Sequence, residues 1–299
     1  MKLWNSRRAG QMGQLTKYMM IGTAAAAFMG LSMNAQAQPA CTIGNWPGTE
    51  VGVVEGDAAL PSDGHRRYAG PCSLGVSVDG VDRYVVDNSP SAENAYIARF
   101  YVYLGDAGSA DTMIYAAQDA GANVIQVHYN DPSPGDLTMY VFDDGAGQAS
   151  ATFQAADINT NWVSVEFSWS ADDQPKLFSV NGMADEALAL DTSGVGITDA
   201  LLGNINGADS GTGSVLYFDD FDSRRSTRPG RLCRGLTDAG RESLTIGDAQ
   251  AIFSEVASAG SNLASGQPDF DENGSITIAD AQGVFARVAA ATNSCDLNS

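Results

Sequence analysis

The chain is poor in positively charged side chains. It has 16 Lys and Arg residues against 36 Asp and Glu residues, which gives a formal net charge of −20. Such a chain repels the phosphates of nucleic acids and the headgroups of anionic membranes, and its surplus of carboxylates suits divalent cations. The composition therefore argues against a nucleic-acid partner.

The chain has two histidines, which limits the catalytic and zinc sites that it can form. The two histidines, His65 and His128, are not spaced with cysteines as zinc ligands are, nor with Ser and Asp as in a hydrolase triad. The sequence therefore favours a noncatalytic protein over an enzyme.

Paired carboxylates are also missing from the places where a glycosidase would need them. A retaining glycosidase needs two carboxyl groups about 5 Å apart, which on a strand means alternate positions. Glu166 has only Ser164 and Ser168 on its own side of the strand. Asp220 and Asp222 do share a face, and we interpret them as solvated residues of an edge strand.

The first 37 residues contain four basic residues and no acidic one. An apolar stretch of about 16 residues follows the basic start, and "NAQA" provides an Ala-x-Ala end, which together predict a cleaved secretory signal over residues 1–37. The apolar stretch is shorter than the roughly 20 residues of a membrane span. We therefore expect a secreted, extracellular or periplasmic protein that is not inserted in a membrane after cleavage. Without these residues the balance is 12 basic against 36 acidic residues, or −24.

The four cysteines all follow the predicted signal. An even number of cysteines in an exported chain predicts two disulfides, for which three pairings exist. Proximity in sequence favours Cys41–Cys72, in an N-terminal extension over residues 38–73, and Cys233–Cys295.

Hydrophobic residues alternate with polar residues over residues 74–224. "ARFYVYL" places Phe100 and Val102 on one face and Tyr101 on the other, and "WVSVEFSW" alternates in the same way. Clusters of Gly, Asp, Asn and Pro separate these runs. The pattern predicts an all-β antiparallel sandwich of short strands. An Arg-rich segment over residues 225–235 follows, which we interpret either as a charged contact between two acidic bodies or as a solvated tether.

The strand order "YIARFYVYL", "MIYAA", "IQVHYN", "WVSVEFSW", "LFSVNG" and "YFDDFDSRR" resembles that of laminin-G-like domains, which have the concanavalin-type jelly roll. The resemblance covers residues 75–225. It implies a noncatalytic sandwich that binds a glycan or a surface protein through loops at one rim.

A segment of the C-terminal region, residues 236–299, is duplicated. "SLTIGDAQAIFSEV" recurs 32 residues later as "SITIADAQGVFARV". Each copy predicts an amphipathic helix, and each helix is expected to bury its apolar face against the other copy. We expect that face to hold Ile246, Ala249, Phe253 and Val256 in the first copy, and Ile278, Ala281, Phe285 and Val288 in the second. In each copy a Thr-x-x-Asp pair, Thr245 with Asp248 and Thr277 with Asp280, fits a helix cap.

The second copy carries a candidate calcium loop in "DFDENGSITIAD". Oxygen-bearing side chains stand at its first, third, fifth and twelfth positions, and Gly274 stands at the sixth, where a sharp turn is needed. We expect one Ca²⁺ to be bound there by Asp269, Asp271, Asn273, the carbonyl of Ser275, and Asp280. The first copy has Thr237, Ala239 and Arg241 at the corresponding early positions, so a second ion is not expected.

An Asp at position twelve and a duplicated loop-helix resemble a dockerin, and the resemblance covers residues 236–292. It implies an EF-hand-like module that attaches the protein to a docking partner. The first copy departs from the dockerin pattern in every early ligand.

These resemblances favour a secreted binding protein with a calcium-ordered attachment module. Two alternatives stay open. "QVH", Gln126 to His128, resembles the Gln-x-His strand of jelly-roll alginate lyases, which implies an extracellular polysaccharide lyase, or more generally a lyase or glycoside hydrolase carrying an attachment module. The other alternative is a structural cell-surface protein.

Overall fold

The computed structural model describes residues 48–49, 53–56, 68, 73–158, 162–211, 213–232, 234–237, 243–258, 268–271 and 276–291. In chain order the elements are β1 (Gly48–Thr49), β2 (Val53–Gly56), β3 (Ser73–Ser77), β4 (Arg83–Asp87), β5 (Ala95–Tyr103), β6 (Thr112–Asp119), β7 (Ala122–Tyr129), β8 (Leu137–Phe142), β9 (Gln148–Phe153), β10 (Trp162–Ser170), β11 (Lys176–Val180), β12 (Glu186–Leu188), β13 (Asp199–Asn204), β14 (Val215–Arg224), α1 (Ile246–Ser258) and α2 (Ile278–Ala289). The predicted signal, residues 1–37, and all four cysteines lie outside the described residues.

The strands form two sheets of seven strands each. Sheet 1 has the order β1-β4-β13-β6-β7-β8-β9, and sheet 2 has the order β12-β11-β10-β5-β14-β3-β2. Neighbouring strands whose register is resolved are antiparallel, and one hydrophobic core draws side chains from both sheets. The prediction of an all-β antiparallel sandwich is confirmed.

The core follows the alternation of the sequence. β5 and β10 pair along their whole length, from Trp162 opposite Tyr103 to Ser170 opposite Ala95. Phe100, Val102 and Val165 point into the core and are fully buried. Burial of each such side chain stabilises the fold by about 1.5–3 kcal/mol. The alternation of hydrophobic residues therefore determines which face of each strand packs into the core.

Residues before the predicted start of the sandwich also contribute strands. β1 pairs with β4 at one edge of sheet 1, and β2 pairs with β3 at one edge of sheet 2. Residues of the N-terminal extension therefore add one strand to each sheet.

Part of the outer face of sheet 2 is buried as well. Tyr101 points away from the main core, as predicted, but it packs in a second cluster with Tyr68, Tyr103 and Trp162. The ring of Tyr68 stacks on that of Tyr101 with 3.6 Å between centroids. A segment far away in sequence thus covers aromatic side chains that alternation alone would place in solvent.

The Arg-rich segment crosses this same outer face. We call residues 225–232 the strap. Gly230 N donates to Glu166 Oε2 at 2.7 Å, Arg99 Nη1 donates to Gly230 O at 2.8 Å, and Leu232 N donates to Tyr101 Oη at 2.8 Å. The strap is bound to the sandwich, and the interpretation as a solvated tether is wrong.

The position of β14 bears on the expectation for Asp220 and Asp222. β14 lies between β5 and β3, but β3 pairs only with Val215–Phe218, so Asp220 and Asp222 have a neighbouring strand on the β5 side alone. The register shifts between Asp219 and Asp222, and Asp220, which has a positive φ of 46°, forms an ion pair with Arg99. Asp220 is therefore paired rather than only solvated, which the sequence could not indicate because Arg99 and Asp220 are 121 residues apart.

The two helices pack against each other through a small core of their own. Its buried members are Leu236, Leu244, Ala249, Ile252, Ala281 and Val284. This separates them from the core of the sandwich.

The helix face predicted to be buried is partly wrong. Ile246 and Phe253 are 51% and 54% exposed, and Ile278 and Phe285 are 48% and 54% exposed. The buried arc is centred on Ile252 and Val284 instead, about one residue away from the predicted stripe. Residues 100° apart on a helix face different surroundings, so a shift of one residue exposes the large side chains.

Within the described residues no helix is long and apolar enough to span a membrane.

Candidate functional site

Three carboxylates of the second repeat meet in space. One oxygen from each of Asp269, Asp271 and Asp280 lies within 4.8 Å of the others. Asp269 and Asp280 are buried, with 1% and 0% exposure, and Asp271 is exposed. Asn273, Gly274 and Ser275, the remaining residues of the predicted loop, lie outside the described residues.

The start of α2 holds Asp280 in place. Thr277 is the N-cap, and its hydroxyl accepts a hydrogen bond from Ala279 N at 3.2 Å. Asp280 is the third residue of the helix, and its Oδ2 accepts hydrogen bonds from Thr277 N at 2.7 Å and from Thr277 Oγ1 at 3.0 Å. This capping box satisfies backbone donors at the helix start and confirms the predicted cap.

The other oxygen of Asp280 ties the helix to the acidic segment. Oδ1 accepts hydrogen bonds from Phe270 N at 2.8 Å and from Asp271 N at 3.2 Å. Burial raises the pKa of Asp280, and the negative charge of Asp271 acts in the same direction, although the hydrogen bonds from Thr277 and Asp271 lower it. A cation among these carboxylates would relieve both the burial of charge and the repulsion. Carboxylate oxygens are the hard donors that Ca²⁺ takes, and these three would supply part of its roughly six to eight ligands.

The first repeat has a threonine, Thr237, where the second has Asp269. Asp248 Oδ1 accepts hydrogen bonds from Thr237 N at 3.0 Å and from Thr237 Oγ1 at 2.8 Å. Asp248 Oδ2 accepts from Thr245 N at 2.8 Å and from Thr245 Oγ1 at 2.9 Å. Among the described residues, the second repeat provides the one cluster of three carboxylates close enough to share an ion.

The strand of the Gln-x-His motif carries a polar network on the outer face of sheet 1. His128 Nδ1 lies 2.8 Å from Asp111 Oδ1, and His128 Nε2 lies 3.2 Å from Gln126 Oε1. β7 and β8 pair with Gln126 opposite Tyr140, and the rings of His128 and Tyr140 meet edge to face at 5.5 Å. The structure therefore brings together Gln126, His128 and Tyr140.

Side chains of the protein contact the polar atoms of this network. Tyr140 Oη donates a hydrogen bond to Asp131 Oδ2, and burial together with the charge of Asp131 raises the pKa of Tyr140 to about 12. A neutral imidazole has one N–H donor, so one ring nitrogen of His128 donates to an oxygen and the other accepts only when the amide of Gln126 turns its NH₂ towards it.

Sequence reasoning did not find Asp111, Asp131 and Tyr140 as neighbours of His128. Asp111 and Asp131 lie in loops, and Tyr140 reaches His128 only through the register of β7 and β8. "YVF", residues 140–142, repeats an aromatic residue at a spacing of two. That spacing places both rings on one face but does not identify the neighbouring strand.

No protein-family profile matches the chain, and no curated protein matches it. Solved structures that resemble it include the receptor-binding domain of a botulinum neurotoxin mosaic of serotypes C and D. The two are 13% identical, with coverage of 59% of this chain and 43% of that one and a TM-score of 0.41.

A botulinum neurotoxin serotype D ligand-binding domain in complex with N-acetylneuraminic acid is 12% identical, with coverage of 51% and 38% and a TM-score of 0.36. An alginate lyase in complex with dimannuronate is 10% identical, with coverage of 52% and 76% and a TM-score of 0.38. The chain spans less than half the length of the toxin chains that it matches. At these scores the likenesses assign no ligand and no reaction to this chain.

Proposed function

We propose that this protein is an exported, noncatalytic binding protein. Its laminin-G-like sandwich of the jelly-roll type recognises a glycan or a surface protein. Its C-terminal, dockerin-like module is ordered by one Ca²⁺ and attaches the protein to a docking partner.

The observation that supports the noncatalytic assignment is the set of internal contacts around His128. Asp111 and Gln126 lie within hydrogen-bond distance of its two ring nitrogens, and Asp131 accepts a hydrogen bond from the hydroxyl of Tyr140. A substrate that exchanged a proton with His128 Nε2 or with the phenol of Tyr140 would have to displace Gln126 or Asp131. The polar and aromatic groups can still contact a ligand from the outer face of the sheet.

The carboxylate cluster supports a calcium-ordered module. Asp269 and Asp271 belong to the start of the loop, and Asp280, its last residue, belongs to α2. A calcium ion bound by all three would neutralise buried charge and fasten the loop to the helix. Its role is therefore structural.

The exposed apolar residues of the module support attachment. Ile246 and Phe253 on α1, and Ile278 and Phe285 on α2, are each about half exposed and lie at equivalent positions of the two repeats. Large apolar side chains that occur together on a surface are typical of interaction sites.

A glycan array probed with the mature protein, with calcium and with a chelator, tests the proposal. We expect the protein to bind a defined set of glycans and to leave the covalent structure of those glycans unchanged. Binding through the sandwich should survive chelation, because the carboxylate cluster lies in the other module. An array without any binding would favour the alternative of a structural surface protein.

A polysaccharide lyase is the second candidate. The approach of Gln126, His128 and Tyr140 favours it, because an amide, an imidazole and a phenol are groups that bind and move protons in sugar chemistry. Incubation with polymannuronate and polyguluronate, followed by the ultraviolet absorbance of unsaturated products, tests it. Products that disappear in His128→Ala would establish the lyase and overturn the noncatalytic proposal.

A further inference from the structure

A cavity lies between the strap and the outer face of sheet 2. Its volume is about 440 Å³. Ser164, Glu166 and Ser179 project from β10 and β11 to form the floor, and residues 182–185 of the turn after β11 form one wall. Arg228, Gly230 and Arg231 of the strap form the other wall. A cavity of this size accommodates one or two sugar rings.

The lining is rich in guanidinium groups for so acidic a chain. Arg99, Arg228 and Arg231 line the cavity together with the carboxylates of Glu166 and Asp185, and Arg99 is also paired with Asp220. The whole chain has a net charge of −20. The positive and negative charges at the cavity therefore balance, so an anion meets less repulsion here than at the acidic surface of the protein as a whole.

Both carboxylates of the lining already have partners. Glu166 accepts hydrogen bonds from Arg228 Nε and from Gly230 N, the latter at 2.7 Å. The two oxygens of Asp185 accept hydrogen bonds from Arg228 Nη1 at 2.7 and 2.8 Å. An incoming anion therefore meets carboxylates whose four oxygens already accept hydrogen bonds from the strap.

Donors remain for such an anion. Among the described residues, Nη2 of Arg228 and the hydroxyl of Ser164 have no hydrogen-bond partner, and both residues line the cavity. The side chain of Arg228 is 35% exposed, so a ligand can reach it. Arginine and hydroxyl donors suit a carboxylate, and Met183 and Ala184 offer an apolar surface to the C–H groups of a sugar ring.

We infer that this cavity binds the carboxylate of an acidic sugar residue, such as a uronic acid within a glycan. The inference rests on the proposed function and names the ligand class and the site. The cavity lies on the outer face of sheet 2, whereas Gln126 and His128 lie on sheet 1. A sugar held here is away from the Gln-x-His strand, so the site retains a uronate without cleaving it.

Calorimetry with the mature protein tests the inference. The probes are trigalacturonate and its neutral counterpart, in which each carboxyl group is a hydroxymethyl group. We expect binding of trigalacturonate to be at least tenfold tighter than that of the neutral trisaccharide, and to weaken as salt is added.

Two variants and a control locate the site. Arg228→Gln removes the open donor, and Ala184→Trp fills the mouth of the cavity without removing an ion pair. Each should weaken binding of trigalacturonate at least tenfold. Ala187→Trp, an exposed residue of β12 outside the cavity, should leave it unchanged. Thermal melting shows whether each variant is folded. If Arg228→Gln is unfolded, the affinity of Ala184→Trp for trigalacturonate tests the site on its own.

Several results would overturn the inference. These are equal affinity for the neutral trisaccharide, full competition by inorganic sulfate at the concentration of the sugar, and unchanged binding in Ala184→Trp. Binding of neutral glycans alone on the array would contradict the acidic-sugar site but leave the proposed function intact. An array without any binding would contradict both.

Discussion

Thr237 and Asp248 are joined by two hydrogen bonds, from the backbone N at 3.0 Å and from the hydroxyl at 2.8 Å, both to the same carboxylate oxygen. Thr237 is the residue that corresponds to Asp269 in the second repeat. The first repeat therefore satisfies its buried aspartate with protein donors. The second repeat places two further carboxylates beside Asp280, an arrangement that is favourable once a cation is bound.

From this difference we predict that the protein binds one calcium ion, not two. Asp269→Ala and Asp271→Ala should abolish binding, because each removes a carboxylate from the cluster. Asp248→Ala should leave the stoichiometry at one and weaken the start of α1 by about 1 kcal/mol. Calorimetric titration of calcium into the chelator-treated protein measures this. A stoichiometry near two would show that the first repeat also binds.

The contact between strap and sheet should contribute to stability. Glu166 accepts hydrogen bonds from Arg228 and from Gly230, and it is 9% exposed. Glu166→Gln removes the charge and should lower the free energy of unfolding by about 2 kcal/mol.

Chemical denaturation of Glu166→Gln and of a matched control provides the test. Glu186→Gln makes the same chemical change at an exposed position of β12. Its midpoint should not move. Equal effects of the two substitutions would mean that the strap is not held by Glu166.

Lys176 is the one lysine after the predicted signal, and it is fully buried. Its ammonium group donates to the carbonyl of Gln174 at 2.9 Å and to that of Asp172. Lys176→Met leaves these carbonyls without a charged donor and should lower the free energy of unfolding by about 2 kcal/mol. Denaturant midpoints at neutral pH measure the loss.

Lys176 should also give the protein a distinct dependence on pH. Burial lowers its pKa below the usual 10.5, even though nearby acidic groups act in the opposite direction. The unfolded chain then binds more protons than the folded one between the two pKa values. Stability from this group rises as the pH rises towards 10.5. The difference in stability between wild type and Lys176→Met should therefore grow across that range, and a constant difference would contradict it.

His128 should have little effect on ligand binding. Asp111 and Gln126 hold its ring nitrogens, so we assign it to the organisation of the strand face. His128→Ala should change the affinity for any glycan found on the array by less than about threefold, which corresponds to roughly 0.7 kcal/mol. A larger loss of affinity would place His128 in contact with the ligand.

The sandwich could be predicted from the sequence because its signal is local. The inward positions of β5 and β10, such as Phe100 and Val165, follow from alternation over a few residues. The outer face of sheet 2 could not be predicted in this way. Tyr101 and Glu166 are covered by Tyr68 and the strap, and no local pattern records contacts between residues more than 30 positions apart.

The candidate sites also differ in whether their residues are close together in the sequence. Asp269, Asp271 and Asp280 could be predicted because their ligand spacing lies within twelve residues. The cavity under the strap was missed because Arg99, Ser164 and Arg228 come from three separate segments. The helix faces were predicted about one residue out of place, because Ile246 and Ile252 fit amphipathic stripes equally well until the packing partner is known.

The central claim is that the protein binds a glycan and leaves it intact. The most direct test is to incubate the mature protein with the glycan that it binds most tightly on the array, and to follow that glycan by mass spectrometry. We predict that its mass stays unchanged after many times the residence time of the complex. Cleaved or unsaturated fragments that accumulate with the wild type and not with His128→Ala would contradict the claim.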